Sequence, residues 1–394
     1  MPGSYIVAGA RTPIGKLGGA LAGFSATDLG GFAIKAALAR AGIAPEEVEY
    51  VYMGQVLQAG AGQITARRAA VNAGIPMSTP ASTINKVCLS GLNTIFLADQ
   101  LISGGYADVV VAGGMESMTS APYLLSGARA GYRAGDQTLV DSMLYDGLFC
   151  AFDACAMGAS TERDAAAAMI ARDAQDEFSA RSHERAAVAH KEGRFAEELV
   201  SVEVPQRRGD PLLVESDEGI RPGTTAESLG QLKPAFAPGG TVTAGNASQI
   251  SDGGSAVVMV SKAYAERLGV TPLGEVVGYG QIAGPDTSLL TQPSRAIRKA
   301  LSRTDLSVGD IDLFEINEAF AAVALASMDD LGITPDVVNV NGGAVALGHP
   351  IGASGNRLAL TLLHEMRREG RSVGAAALCG GGGQGDALVV RAVW

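Results

Sequence analysis

Three side chains, far apart in the chain, carry most of the chemistry this sequence can do. Cys88 lies in "NKVCLSGLNTIFLADQLI", His349 in "NVNGGAVALGHPIGASG" and Cys379 in "LCGGGGQGD". A thiol at a helix N-terminus gains from unpaired N–H groups and the helix dipole, which favour the thiolate nucleophile. An imidazole is the usual partner that takes such a thiol's proton. A second thiol followed by four glycines leaves backbone N–H groups bare, the raw material of an oxyanion hole. Each residue also has a plainer reading. Cys88 and Cys379 are also readable as buried packing cysteines, and His349 as a turn residue beside Pro350, whose ring fixes φ. Asn317, in "EINEAF", is either a helix N-cap or an amide that orients a water. His183 and His190 fall on a charged helix and His364 beside Glu365, Arg367 and Arg368, so all three are expected on solvated faces. Cys150 and Cys155 read as core packing.

These residues need elements to position them. Short β-branched runs ending in glycine alternate with Ala/Leu-rich stretches, the pattern of an α/β protein with buried sheets. Strands are expected at 108–114, 255–261, 337–343 and 374–383. Helices are expected at 28–41, 89–103, 172–192, 318–331 and 355–369. Two long segments share one layout: an acidic turn and strand, a strand feeding a helix, then a strand ending in glycines. Val48 to Cys88 spans 40 positions and Ile311 to His349 spans 38, at an offset near 260. Duplicated α/β halves explain this, and would let two strand-to-helix junctions converge on one site. The charged, glycine-rich segment 120–244 separates the halves. It reads as an insertion packed over one end of the sheets, where α/β folds place specificity.

Composition sets outer bounds. The 394 residues are 47% hydrophobic and 18% charged, which is globular rather than disordered. A net charge of −11 with no basic stripe argues against nucleic-acid binding, but a phosphate-bearing small ligand needs only a few local donors. No apolar run reaches membrane-span length, and the N-terminus has no basic region before its short apolar run. Four cysteines are too few for a disulfide scaffold, and no Cys/His spacing matches a zinc site. A cytoplasmic protein with free thiols, no metal and no membrane partner is expected.

The motifs "NKVCLSG", "TAGNASQISDG", "NEAF", "NVNGGAVALGHPIGASG" and "CGGGGQG" occur in the order and spacing of the thiolase family, and the resemblance covers essentially the whole chain. It implies two duplicated βαβαβαββ halves in a five-layered αβαβα core with an inserted loop domain. The halves would be 1–119 with 245–270 and 271–394, and the insertion 120–244. Within the family the chain is similar to acetyl-CoA C-acetyltransferases, implying ping-pong condensation of two acetyl-CoA and the reverse thiolysis. Cys88 would hold the acyl group, His349 take its proton, and Cys379 move a proton at the second substrate. Asn317, through a water, and His349 would form one oxyanion hole; the N–H groups of Cys88 and Gly381 would form the other. Coenzyme A, a substrate rather than a permanent cofactor, would meet Arg221, Ser228, Ala244 and Ser248, with Leu148, Met157 and Phe236 along its pantetheine arm. What approaches the glycines around His349 is then expected to be the thioester end of coenzyme A. Family relatives are dimers or tetramers, so a homo-oligomer, a dimer or a homotetramer, is expected.

Three positions depart from the family pattern: Leu89 where many members have glycine, Ala156 where many have histidine, and Leu289 or Leu290 where a methionine is common. Leu89 and Leu289 are expected to narrow the acyl pocket. Three other readings stay open: a degradative 3-ketoacyl-CoA thiolase for longer chains, a Cys/His hydrolase, and a non-catalytic acyl-CoA carrier.

Overall fold

The computed structural model describes residues 3–394. Five strands form the first sheet: β1 (Ser4–Arg11), β2 (Tyr50–Gly54), β3 (Ala81–Ile84), β4 (Val109–Ser117) and β5 (Ser251–Ser261). Three helices connect them: α1 (Ala26–Ala41), α2 (Thr65–Asn72) and α3 (Ser90–Ser103). Between β4 and β5 the chain detours through α4 (Met157–Ala167) and α5 (Arg172–Lys191). The second half contains β6 (Gly274–Ala283), α6 (Gln292–Leu301), β7 (Leu313–Ile316), α7 (Ala321–Leu331), α8 (Ser354–Glu369), β8 (Val373–Gly380) and β9 (Gln384–Arg391).

The strand orders repeat. The first half runs β3-β2-β4-β5-β1 and the second β7-β8-β9-β6, with Val338 bridging β7 where β3 lies in the first. Directions match as well: β2 is parallel to β3 and β4, as β7 is to β8, and the remaining neighbours are antiparallel. The halves join where β1 meets β6 at Tyr5–Glu275 and Ile6–Gly274.

Alternating side chains stack these sheets into five layers. Val109 and Val111 of β4 face Ile34 of α1 and Ala69 of α2, while Val110 and Ala112 face Leu92 and Ile95 of α3. On the second sheet Ala376 and Leu378 turn to the same central layer, joined there by Leu358 and Leu362 of α8. Ala375 and Ala377 face Ile297 of α6 and Ala324 of α7. The order is thus α1/α2, sheet, α3/α8, sheet, α6/α7. Both sheets are buried on both faces, which is why their strands read as unbroken apolar runs.

Buried ion pairs and hydrogen bonds tie the detour to both halves. Arg11 of β1 pairs with Glu198 and Asp217 at 2.7 Å each, all fully buried, and Ser182 of α5 donates to Glu318 at 2.7 Å. None of the described helices is long and apolar enough to cross a membrane.

The expected strand at 337–343 does not form. Residues Pro335–Val337 make a short 3-10 turn and Asn339 sits at φ 47°. Its side chain takes over the pairing a strand would have supplied, accepting from Ile316 N–H and donating to Ile316 O and Glu318. The helix expected from 318 begins at Ala321, because Asn317 turns to His349 and Ala319 and Phe320 line the chamber instead.

Candidate active site

Cys88 precedes α3 in a strained loop. Val87 has φ 51°, a left-handed conformation that is an outlier for a β-branched residue. The loop is held by Asn85, whose Oδ1 accepts from Val87 N–H at 3.0 Å. Ser90 Oγ accepts from Lys86 N–H at 2.8 Å and donates to Val87 O at 2.6 Å. Leu89 points the other way, fully buried in the central layer against Gly380, so it does not narrow the site. Side chains on either side of a helix start diverge, which its sequence position alone did not reveal.

His349 arrives five residues ahead of α8 and Cys379 near the end of β8. With Cys88 they line one chamber of about 60 Å³, closed by Leu148, Met157, Leu289 and Phe320. Asn317, fully buried, places Nδ2 at 3.4 Å from His349 Nε2, while its Oδ1 has no partner among the described residues. It is not an N-cap. Ser354, which sequence reasoning did not single out, completes the imidazole's surroundings. Its hydroxyl donates to Pro350 O at 3.0 Å and lies 2.6 Å from His349 Nδ1. Having given its proton to the carbonyl, Ser354 accepts from Nδ1–H, which leaves Nε2 as the lone-pair nitrogen facing the chamber.

Glu116, also missed, anchors the same loop. Its carboxylate accepts from Gly352 N–H (2.9 Å), Val56 N–H (3.0 Å) and Leu57 N–H (3.1 Å), and burial pushes its pKa up to about 7. At the loop's other end Glu318 accepts from Val345 N–H at 3.0 Å. A Ser after a Pro and a Glu after glycines are too common to flag a role; only the fold brings them to His349.

The glycines around His349 are approached by protein, not by an open ligand cavity. A Cβ on Gly342 would meet Ser182 O at 2.5 Å, on Gly352 Met115 O at 2.8 Å, and one on Gly355 would strike Leu92 N; Gly343 and Gly348 are filled by Glu318 and Ser251. Gly381 differs: nothing but Val87 and Met157 side chains lies within 4 Å of its Cβ direction, so its backbone is bare toward the chamber.

A cavity of about 490 Å³ leads outward from His349. Arg221, Ala244, Ser248, Leu148, Met157 and Phe236 all line it, as does Ala156. Ser228 does not; it sits on a short helix, Ala226–Gly230, with its hydroxyl donating to Thr225 O. His183 is buried and His364 half-buried, rather than solvated. His183 Nδ1 accepts from Arg221 N–H at 3.2 Å, and His364 lies beside Glu197; burial lowers both pKa values, that of His183 to about 4. His190 is exposed, and Cys150 is packed against Met157 as expected.

Electrostatics in the chamber favour neutral groups. Burial pushes the Cys88 thiol up to about 12, against the pull of the Cys88 and Gly381 N–H groups on its sulfur, with a further push from Glu116. Burial and the neighbouring Cys88 raise Cys379 as well, so the two sulfurs sense each other. Burial, helped by Arg357, lowers His349 to about 3. The resting pair is therefore thiol and imidazole, and the proton must leave Cys88 as its new bond forms. A testable consequence concerns alkylation. Because the thiol pKa is raised, the thiolate fraction grows about tenfold per pH unit with no ceiling near the usual thiol value of about 8.5. Iodoacetamide labelling of Cys88 should thus keep rising through pH 9; a plateau at pH 8 to 9 contradicts the burial effect.

Two half-domains that bring two thiols and a neutral imidazole to the inner end of a tunnel define an architecture for acyl transfer through a thioester. Family models agree with this class: "Thiolase, N-terminal domain" matches residues 4–263 and "Thiolase, C-terminal domain" residues 270–392. The chain belongs to the thiolase family. It is 58% identical over 393 residues to a probable acetyl-CoA acetyltransferase of Mycobacterium leprae, covering all of both chains. It is 52% identical over 386 residues to the acetyl-CoA acetyltransferase of Cupriavidus necator, covering 98% of each. A crystal structure of the Bacillus anthracis acetyl-CoA acetyltransferase superposes with a TM-score of 0.97 at 40% identity, covering 100% of this chain and 99% of that one.

Proposed function

We propose that this chain is an acetyl-CoA C-acetyltransferase, condensing two acetyl-CoA to acetoacetyl-CoA and free coenzyme A, and cleaving in reverse. One observation carries the reading: both sulfurs and the imidazole line one small chamber that adjoins a larger cavity through His349. Cys88 Sγ attacks the thioester carbonyl as His349 Nε2 takes its proton; coenzyme A leaves as the thiol, taking that proton back. The oxygen that becomes negative is met by the N–H groups of Cys88 and Gly381, whose pull already lowers the thiol's pKa against burial. Cys379 passes its own proton to the freed His349 Nε2 and, as the thiolate, removes a proton from the methyl of a second acetyl-CoA. Its enolate oxygen is held by the protonated His349 Nε2–H and by a water on Asn317, whose unpartnered Oδ1 supports that role. The carbanion attacks the Cys88 thioester and expels the sulfur, which takes the proton from His349 Nε2 and restores the resting thiol and imidazole.

Residues 120–244 act as the unit that holds coenzyme A, between halves 1–119 with 245–270 and 271–394. Arg221 and, further out, Ser228 serve its phosphates; Ala244 and Ser248 flank the pantetheine arm, and Leu148, Met157 and Phe236 cover it. Ala156 supplies no polar contact there. The reaction needs no permanently bound cofactor. A homo-oligomer is supported by β3, the outermost strand of the first sheet, whose outer edge invites a second copy.

The test is mass spectrometry after incubation with acetyl-CoA, together with thiolysis of acetoacetyl-CoA. One acetyl group on Cys88 and turnover are expected; the absence of any adduct, as for a carrier, overturns the proposal. The small chamber favours short acyl groups over the longer-chain reading. Leu289 closes it, so Leu289→Ala should raise kcat/KM for 3-ketohexanoyl-CoA about 10-fold relative to acetoacetyl-CoA, in the range one or two methylenes command. Preference of the unaltered protein for 3-ketodecanoyl-CoA would overturn the short-chain assignment.

A further inference from the structure

Asp386 is a carboxylate on the apolar inner face of β9, fully buried, on the same side as Leu388 and Val390. Burying a charge there costs several kcal/mol unless it is paired, and apolar replacements of such pairs are commonly as stable. Its partner comes from the opposite half of the chain. Lys86 Nζ donates to both carboxylate oxygens at 2.7 and 2.9 Å, and Tyr279 of β6 donates its hydroxyl at 2.7 Å. Tyr279 in turn stacks on Phe96 of α3, ring centroids 4.4 Å apart at 19°. The set therefore closes a loop: from the segment before α3, across to the second sheet, and back to α3 itself.

Both ends of this connection matter for the chamber. Lys86 is two residues before Cys88 and next to the strained Val87; Asp386 lies opposite Leu378, one residue from Cys379. A non-glycine residue with positive φ persists only where its surroundings over-determine it. Asn85 and Ser90 hold Val87 locally, yet neither reaches the second half of the chain.

We infer that Lys86, Asp386 and Tyr279 are positioning residues that set the Cys88 sulfur against the strand carrying Cys379, an inference that rests on the two-thiol reaction proposed above. None touches the reacting atoms. Their effect falls on the step that needs both sulfurs aligned, so it appears in kcat for condensation and thiolysis rather than in coenzyme A binding.

The experiment measures kcat and KM per alkylatable Cys88, counted by mass spectrometry, for Lys86→Met, Asp386→Asn, the double variant and Lys86→Arg. Acetylation of the unaltered protein tests the reaction itself, so its failure is separable from failure of this inference. Lys86→Met and Asp386→Asn should each lower kcat about 10- to 100-fold, the cost of misplacing a reacting group by about 1 Å. KM should stay within about threefold, since uniform binding is not removed. The double variant should be no worse than the poorer single variant by more than about threefold, because the pair acts as a unit. Lys86→Arg, which keeps a charged donor for the carboxylate, should recover most of the rate. Asp386→Asn keeps shape and the tyrosine hydrogen bond, so it serves if Lys86→Met does not fold. Unchanged kcat per titrated thiol in the single variants, or a loss matched by a lost folded fraction, overturns the inference.

Discussion

Cys88→Ser yields a folded protein that takes up no acetyl group from acetyl-CoA and turns over acetoacetyl-CoA roughly 10⁴-fold or more below the unaltered enzyme. The size follows from the chamber. A buried hydroxyl is a weaker acid than a thiol, and the base facing it is an imidazole whose basicity burial has already reduced. Sulfur tolerates this base because proton loss accompanies bond formation and because the N–H groups of Cys88 and Gly381 favour its charged form. Oxygen, smaller and higher in pKa, gains less from the same donors. The measurement is intact mass after incubation with acetyl-CoA, beside initial thiolysis rates. An adduct of acetyl mass on the serine variant, or turnover within tenfold of the original, removes Cys88 from the role of acyl carrier.

The second large effect separates the two half-reactions. Cys379→Ala should still acquire one acetyl group on Cys88, at close to the original rate, while condensation falls by about 10²- to 10⁴-fold, the usual worth of a positioned acid–base group. Cys379 is buried in the chamber beside Leu289 and Phe320, and no other described side chain with a transferable proton lines it apart from Cys88, His349 and Ser248. Ser248 is a much weaker base than a thiolate, and His349 is occupied at the enolate oxygen. A hydrolase using only Cys88 and His349 would lose nothing with Cys379. Full condensation activity in Cys379→Ala therefore returns the protein to that rival class.

The sequence made the fold legible wherever burial was two-sided and periodic. Strands such as 109–117 and 373–380 and helices such as 354–369 lie within a few residues of their expected positions because apolar runs ending in glycine leave little choice. It failed at 337–343, where Val and Asn alternate as in a strand but Asn339 satisfies the β7 backbone with its side chain. The three reactive side chains were legible by type and by their glycine surroundings, and the duplicated spacing placed two of them at matching junctions. Supporting residues were not. Glu116 and Asp386 act across hundreds of positions, Ser354 across only five, and no local pattern marks a serine that fixes a tautomer or an aspartate that reaches a lysine on the other half. Leu89 shows the converse, a neighbour of the nucleophile that faces wholly away from the chemistry.

The carbonyl of Gly352 lies where a Cβ on Gly54, Gly91 or Gly114 would have to go. Those three belong to the first half of the chain and Gly352 to the second, so the repeats meet peptide to peptide with no side chain between them. Such a seam has a key on one side and a lock on the other. Although the two copies share a strand plan, they have become non-interchangeable: a tandem built from either copy alone would lack the complementary surface, and the ancestral symmetry survives only as topology.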